Sequence, residues 1–250
     1  MGCAGLTGAD VETQEVSYRA GDLELKGFLA WDASRSGKRP GILVVHEWWG
    51  HNEYARSRAR QLAALGYTAL AVDMYGGGKQ ADHPSDAGAF ASEVMSNFGV
   101  ARERFEAGMA VLRAHETTDP DKIAAIGYCF GGSVVLNMAR AGVDLDAVAS
   151  FHGSLRTESK AAPGAVKGRV LVCTGADDPM VPPPDVEAFE QEMRDAGAKA
   201  EVIVFPGVVH AFTNPGATKL GEEFGLPLRY DADADRESWE ALEDLLGDVF

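Results

Sequence analysis

The sequence predicts an α/β fold, with a mainly parallel central sheet and helices on both of its faces. Three observations carry that expectation. Runs of Ile, Leu, Val and Ala of strand length recur along the chain, as in "GILVV", "YTALAV", "KIAAIG" and "RVLVC", and continuous apolar runs mark strands buried on both faces. Segments with helical apolar spacing separate them. The strands and helices alternate regularly, which implies right-handed βαβ crossovers.

The elements follow in order. Residues 1–13 are small and polar and read as a flexible N-terminal tail, leaving residues 14–250 as one domain. "EVSYRA" and "LELKGFLAW" flank Gly21-Asp22, the dipeptide of a hairpin turn. "GILVVHEWWG" is a buried strand with its following loop. The apolar spacing from Tyr54 to Leu65 is helical and stops at Gly66, a C-cap residue. "YTALAVDMYG" is a second buried strand. From Gly76 to about Asn97 the pattern weakens into a loop with a short helix. A helix over Ala101–His115, the strand "KIAAIGY" and the helix "GSVVLNMARAG" come next. Then come the strands "DAVASFHG" and "RVLVCTGADD", the helix "PDVEAFEQEMRDAG" and the strand "AEVIVFPG". Residues 208–230 read as mostly loop, and "DRESWEALEDLLGDVF" closes the chain as an amphipathic helix.

Bulk composition sets limits. With 250 residues, 46% of them hydrophobic, the chain can bury a sizeable core. A formal net charge of −15 argues against nucleic acid and anionic membrane surfaces as partners, because both require clustered Lys and Arg. Cys3, Cys129 and Cys173 form no CxxC pair, so neither a disulfide framework nor a structural zinc site is expected. The start lacks a basic region followed by an apolar one, and no apolar run reaches the ~18–20 residues of a membrane span. The expected setting is cytoplasmic, the expected state a monomer or small homo-oligomer, and no cofactor or metal is called for. Gly76-Gly77-Gly78-Lys79 lacks the spacing of a phosphate loop.

Sites in open α/β sheets collect beyond the carboxyl ends of the strands. Four segments fall there. Gly127-Tyr-Cys129-Phe-Gly131-Gly132 is a nucleophile elbow with sulfur in place of oxygen, its glycines letting strand and helix approach. The elbow places Cys129 at a helix N-terminus, which favours a thiolate. Asp178 follows a later strand, three residues before Val181, and is preferred over its neighbour Asp177. His210 follows the next strand. Nucleophile, acid and histidine in this chain order match the α/β-hydrolases. His210 would accept the thiol proton and return it to the leaving group, and Asp178 would orient its ring. His46-Glu47-Trp48-Trp49-Gly50 follows an early strand, where one oxyanion N–H belongs. The backbone of Trp48 supplies that donor and Phe130 the other. Glu47 then falls near the sulfur, where its charge would keep Cys129 protonated and less oxidisable until substrate arrives.

These residues resemble the dienelactone hydrolase family. The likeness rests on the Gly127–Gly132 elbow, on His46-Glu47, on "VDMYGGGK", on the Asp178 and His210 segments and on "YDADADRESW", in colinear order from about Glu15 onward. The resemblance implies an α/β-hydrolase fold and a carboxylic ester hydrolase of the carboxymethylenebutenolidase kind. It further implies action on a small ester or lactone through a Cys–His–Asp triad and an acyl-thioenzyme. Best-known members hold a substrate carboxylate with two arginines. Here Gly76-Gly77 and Asn214 stand at the corresponding places, with Lys79 and Lys219 as nearby cations. Trp49, Tyr75, Tyr128 and Asn214 are expected substrate contacts; Arg56 and Tyr230 are unranked. The alternatives are a broad short-chain carboxylesterase, a peptide-acting hydrolase, or a non-catalytic redox sensor using Cys129. Cys173 reads as core, Cys3 as tail and His152 as structural or pocket-lining. His46, His51 and His83 lack metal-ligand spacing.

Overall fold

In the computed structural model the described residues are 8–250; residues 1–7, and with them Cys3, lie outside. The chain runs β1 (Val11–Ala20), β2 (Leu23–Asp32), β3 (Arg39–Val45), α1 (Glu53–Leu65), β4 (Thr68–Val72), α2 (Pro84–Met95), α3 (Phe98–Ala114), β5 (Thr118–Tyr128), α4 (Phe130–Arg140), β6 (Ala147–Phe151), β7 (Arg169–Gly175), α5 (Pro183–Ala196), β8 (Ala200–Phe205), α6 (Ala217–Phe224) and α7 (Ala232–Val249). The strands form one sheet in the order β1-β2-β4-β3-β5-β6-β7-β8. β1 and β2 form an antiparallel hairpin around Gly21-Asp22, and β2 meets β4 antiparallel. From β4 to β8 every pairing is parallel.

Side chains on a strand alternate between faces, and each face here buries its own cluster. Leu43, Val45, Leu70, Val72 and Ile123 pack with Phe105 and Leu112 of α3, Val135 and Met138 of α4 and Phe189 of α5. Their neighbours Ile42, Val44, Ala69, Ala71 and Ala124 face the other way, onto Ala59 and Leu62 of α1 and Leu242 and Leu246 of α7. The continuous apolar runs are thus strands covered on both sides.

Register fixes where the loops emerge. Val45 pairs with Gly127, Tyr128 with Phe151, Phe151 with Cys173 and Gly175 with Phe205. The segments that follow β3, β5, β6, β7 and β8 therefore leave the sheet at one edge. All three non-glycine residues with positive φ among the described residues lie there: Cys129 (52°), His152 (43°) and Ala211 (59°). Strain of this kind persists only where surrounding structure enforces it.

Three elements depart from expectation. Val11–Thr13 are strand, not tail, and pair with Asp32, Trp31 and Ala30; on an edge strand their side chains face water and give no apolar signal. The segment after Gly76 holds a helix of 12 residues, capped by His83 and opened by Pro84. Within 208–230 lies α6, only 8 residues long and interrupted by Gly221. A Cβ on Gly221 would sit 2.3 Å from the Leu228 carbonyl oxygen, so that glycine serves a close approach while hiding the helical pattern. No helix among the described residues is long and apolar enough to cross a membrane.

The tightest packing is at the elbow. A Cβ at Gly127 would lie 2.1 Å from the Gly131 carbonyl oxygen, and one at Gly131 would lie 2.2 Å from that of Val45. Both obstacles are backbone and cannot rotate away. Gly131→Ala is expected to destabilise the fold by about 3 kcal/mol, the upper end for overpacking. The check is a lower urea midpoint at unchanged m-value; a midpoint equal to wild type would show that α4 can slide off β3.

Candidate active site

β5 ends at Tyr128, and Cys129 turns the chain with φ 52° and ψ −113° before α4 begins at Phe130. The turn is held from both sides: the Cys129 N–H donates to the Phe151 carbonyl at 2.9 Å, and the Ser133 N–H donates to the Cys129 carbonyl at 3.2 Å. Cys129 stays half-buried, whereas Cys173 is fully buried in β7. Burial pushes the Cys173 thiol well above its usual range, which fits a packing role.

Asp178 and His210 arrive from the ends of β7 and β8. His210 Nδ1–H donates to Asp178 Oδ2 at 2.8 Å, and Asp178 Oδ1 accepts the Met180 N–H at 2.8 Å. Both carboxylate oxygens are thereby used, and the imidazole is fixed with its other nitrogen free. Asp177, the rival in the sequence, is exposed. His210 Nε2 is buried without a formed hydrogen bond. Burial works against a charged His210, yet its interaction with Cys129 and the bond to Asp178 outweigh it and push the pKa up to about 10. Behind it lies His152, fully buried, its ring edge-on to that of His210 at 5.1 Å.

The loop after β3 is pinned by His46. Its Nδ1–H donates to the Glu47 carbonyl at 2.6 Å, and its Nε2 accepts the Met74 N–H at 3.2 Å. Burial lowers its pKa to about 4, so it is a neutral structural linker. His51 Nε2 bonds the Ala71 carbonyl and His83 caps α2; each of the three histidines has separate structural work. Glu47 is also buried. Its Oε2 accepts the Asn214 Nδ2–H at 2.6 Å, and no hydrogen bond joins it to Cys129. Burial pushes its pKa up to about 7, against that hydrogen bond and the positive charges of His210 and Arg58.

Cys129 and His210 open on one cavity of about 540 Å³, walled by Trp48, Phe130, Met95, Met180 and Leu226, with Arg156 among its lining residues. Phe130 is the first residue of α4, where a helix N–H has no partner within the helix. Trp49, Tyr75, Tyr128 and Asn214 are not on this lining. Trp49 packs on Trp48 and Phe224, the Tyr75 hydroxyl donates to the Trp48 carbonyl at 3.0 Å, and Tyr128 stacks on Phe151. Asn214 spends its amide on Glu47. Lys79 lies over the Phe90 ring and Lys219 is exposed on α6. Arg56 pairs with Glu15, and the Tyr230 hydroxyl reaches Asp235.

A buried network beneath the His210 loop was missed in the sequence. Arg58 Nη2 donates to the Thr213 carbonyl at 2.7 Å and to Asp235 Oδ1 at 2.5 Å. Thr213 Oγ1 lies 2.6 Å from the Tyr54 hydroxyl and 2.8 Å from His152 Nε2. One signal was available: Arg58 occupies the stripe of Ala55, Ala59 and Leu62, the buried face of α1.

A strained elbow above a parallel sheet, with an oriented histidine facing the same cavity, defines a hydrolase of the α/β class. The chain belongs to the dienelactone hydrolase family, whose model matches residues 25–250, and it is a carboxylic ester hydrolase. It is 30% identical over 210 residues to protein usf of Aquifex pyrophilus, spanning 80% of this chain and 87% of the relative. The solved dienelactone hydrolase-like promiscuous phosphotriesterase P91, from metagenomic libraries, superposes with a TM-score of 0.90 at 36% identity, covering 97% of this chain and all of that one. The solved structure m3DLH superposes with a TM-score of 0.90 at 35% identity, over 96% of this chain and 99% of that one.

Glu47 makes stability depend on pH. Its folded pKa, about 7, lies above its ordinary 4.5, so the folded state holds the proton more tightly than the unfolded. The cost of ionising it sets in as pH rises past about 4.5 and is complete above about 7, amounting to about 3 kcal/mol. Glu47→Gln removes this titration while keeping an acceptor for Asn214. Between pH 4 and 8 the unfolding free energy of the Gln protein should gain on wild type by up to about that amount. A difference that stays constant with pH would contradict the buried, raised carboxyl.

Proposed function

We propose that the chain hydrolyses small carboxylic esters and lactones through Cys129, His210 and Asp178. The observation that carries this reading is the half-buried cysteine at a strained strand-to-helix corner, sharing a cavity with a histidine whose Nδ1 is tied to a buried aspartate. A redox sensor has no need of an oriented base; a nucleophile does.

His210 takes the thiol proton at Nε2, leaving a thiolate with imidazolium. The bond from Nδ1–H to Asp178 stabilises the imidazolium so formed. The sulfur attacks the carbonyl carbon and forms a C–S bond, while the carbonyl oxygen becomes an oxyanion. The N–H groups of Trp48 and Phe130 stabilise it, both residues lining the cavity. As the C–O bond breaks, His210 gives its proton to the departing alkoxide; in a lactone that alcohol stays tethered to the acyl group. A water then loses a proton to His210 and adds to the thioester. Collapse of this second intermediate releases the acid and returns the proton to sulfur. Glu47, whose buried carboxyl lies within electrostatic reach of His210, disfavours additional negative charge at the site and so holds back the free thiolate until substrate is bound.

Short esters and neutral lactones fit the apolar walls of the cavity. The two family arginines have no counterpart at Gly77 or at Asn214, whose amide is committed to Glu47. Around the scissile bond the ester or lactone is therefore held mainly by apolar contact.

Mixing with p-nitrophenyl acetate is expected to release a burst of one equivalent of p-nitrophenol, with the acid-quenched protein heavier by one acetyl group on Cys129. Cys129→Ala should lose the burst, the adduct and turnover. His210→Gln and Asp178→Asn should each lower kcat by about a hundredfold or more. Full turnover by Cys129→Ala would refute the nucleophile.

A further inference from the structure

The cavity that holds Cys129 and His210 differs in charge from the protein around it. Acidic residues outnumber basic ones 38 to 23 over the chain, yet no Asp or Glu lines this cavity. Among the described residues, Arg156 is its only ionisable lining residue apart from Cys129 and His210. Arg156 also lines an adjoining cavity of about 600 Å³, and Met95 is likewise shared between the two. Large apolar side chains gather around this junction: Met95 (40% exposed) between the cavities, Met180 (50%) on the first and Phe98 (40%) on the second. They make a greasy mouth with one fixed cation in it.

Arg156 is held in place. The Ser154 N–H donates to Ser133 Oγ at 2.9 Å, tying the loop to the first turn of α4. Arg140 Nη2 donates to the Leu155 carbonyl at 2.8 Å, and Arg140 is itself clamped by Glu192 at 2.9 Å. Arg156 Nε donates to Asp185 Oδ2 at 2.7 Å. That single bond occupies one edge of the guanidinium. Nη1 and Nη2 have no hydrogen-bond partner among the described residues and are free to donate in parallel to a planar anion, the geometry that suits a carboxylate.

We infer that Arg156 is the specificity residue of this site and that it selects esters bearing a carboxylate beyond an apolar segment. The scissile carbonyl lies at Cys129, the apolar segment runs along Trp48, Phe130 and Met95, and the carboxylate pairs with Arg156 at the mouth. This deepens the ester-hydrolase reading and rests on it. Arg156 stands on the loop after β6, away in sequence from Gly77 and Asn214, so charge recognition uses a different wall of the site. The side chain is largely exposed (69%), and solvent limits what one such pair contributes.

Two matched series test it, since the carboxylate can lie on either side of the scissile bond. One compares p-nitrophenyl hydrogen adipate with p-nitrophenyl hexanoate. The other compares 3-acetoxybenzoate with phenyl acetate. In at least one series the charged-to-neutral ratio of kcat/KM is expected to fall about tenfold in Arg156→Ala, mainly through KM. Arg156→Lys should restore part of it, and Arg156→Glu should lower it further. Asp185→Asn, which removes the competing carboxylate, should raise the ratio. If neither series responds to any of these variants while Cys129 is still acylated by neutral esters, Arg156 is only a structural ion-pair partner and the inference falls. If Cys129→Ala turns over the neutral esters at full rate, it is the nucleophile assignment that has failed.

Discussion

The site depends on the contact of backbone with backbone between the first turn of α4 and the ends of β3 and β5. Gly127 and Gly131 let these chains touch where no side chain fits. From that contact follow the positive φ of Cys129, the outward direction of its sulfur and the free Phe130 N–H beside it. The same approach brings the His46–Trp48 loop against α4: the His46 ring stacks on Phe130 at 5.6 Å. One packing constraint therefore positions both the sulfur and the two amides that would face an oxyanion.

The His210 side is secured by different means. The loop carrying His210, Ala211 and Thr213 is anchored in the core by Val208 and Phe212, and it is further tied down by polar groups from distant elements. Arg58 from α1 and Asp235 from α7 meet at the Thr213 carbonyl, while Tyr54 and His152 bracket the Thr213 hydroxyl. Buried polar networks of this type cost dearly if one member is lost. They also give a long loop a single arrangement, which an imidazole positioned to within a few tenths of an ångström requires.

How legible this was from the sequence varied with the physics of each part. The buried strands and the elbow were readable because local rules govern them: two-faced burial leaves continuous apolar runs, and a strained corner needs glycine. His210 and Asp178 were readable from their order after successive strands. The position of Asn214 could be read, but its use could not, since a hydrogen bond to Glu47 spans 167 residues. Arg58 left a faint trace as a charge on an apolar stripe. Arg156 left none: it sits in a loop without periodicity, and its place in the cavity wall is set by Ser133, Arg140 and Asp185, all remote in sequence. α6 escaped notice because eight residues with a central glycine are too short to show a helical period.

The distribution of charge around the sulfur shows a division of tasks. Glu47 is the one carboxyl near the proposed triad that is neither bonded to His210 nor exposed. Its partner is the neutral amide of Asn214, not a guanidinium. A neutral partner stabilises a buried carboxylate only weakly, so burial prevails and the group titrates near neutrality. An arginine in that place would hold Glu47 ionised. With asparagine there, the interior of the site carries little net charge before substrate binds. A cation is kept instead at the mouth, on Arg156, where its field acts on an incoming substrate more than on the sulfur. Charge near the nucleophile and charge for recognition are thereby placed on separate walls, and each can change without disturbing the other.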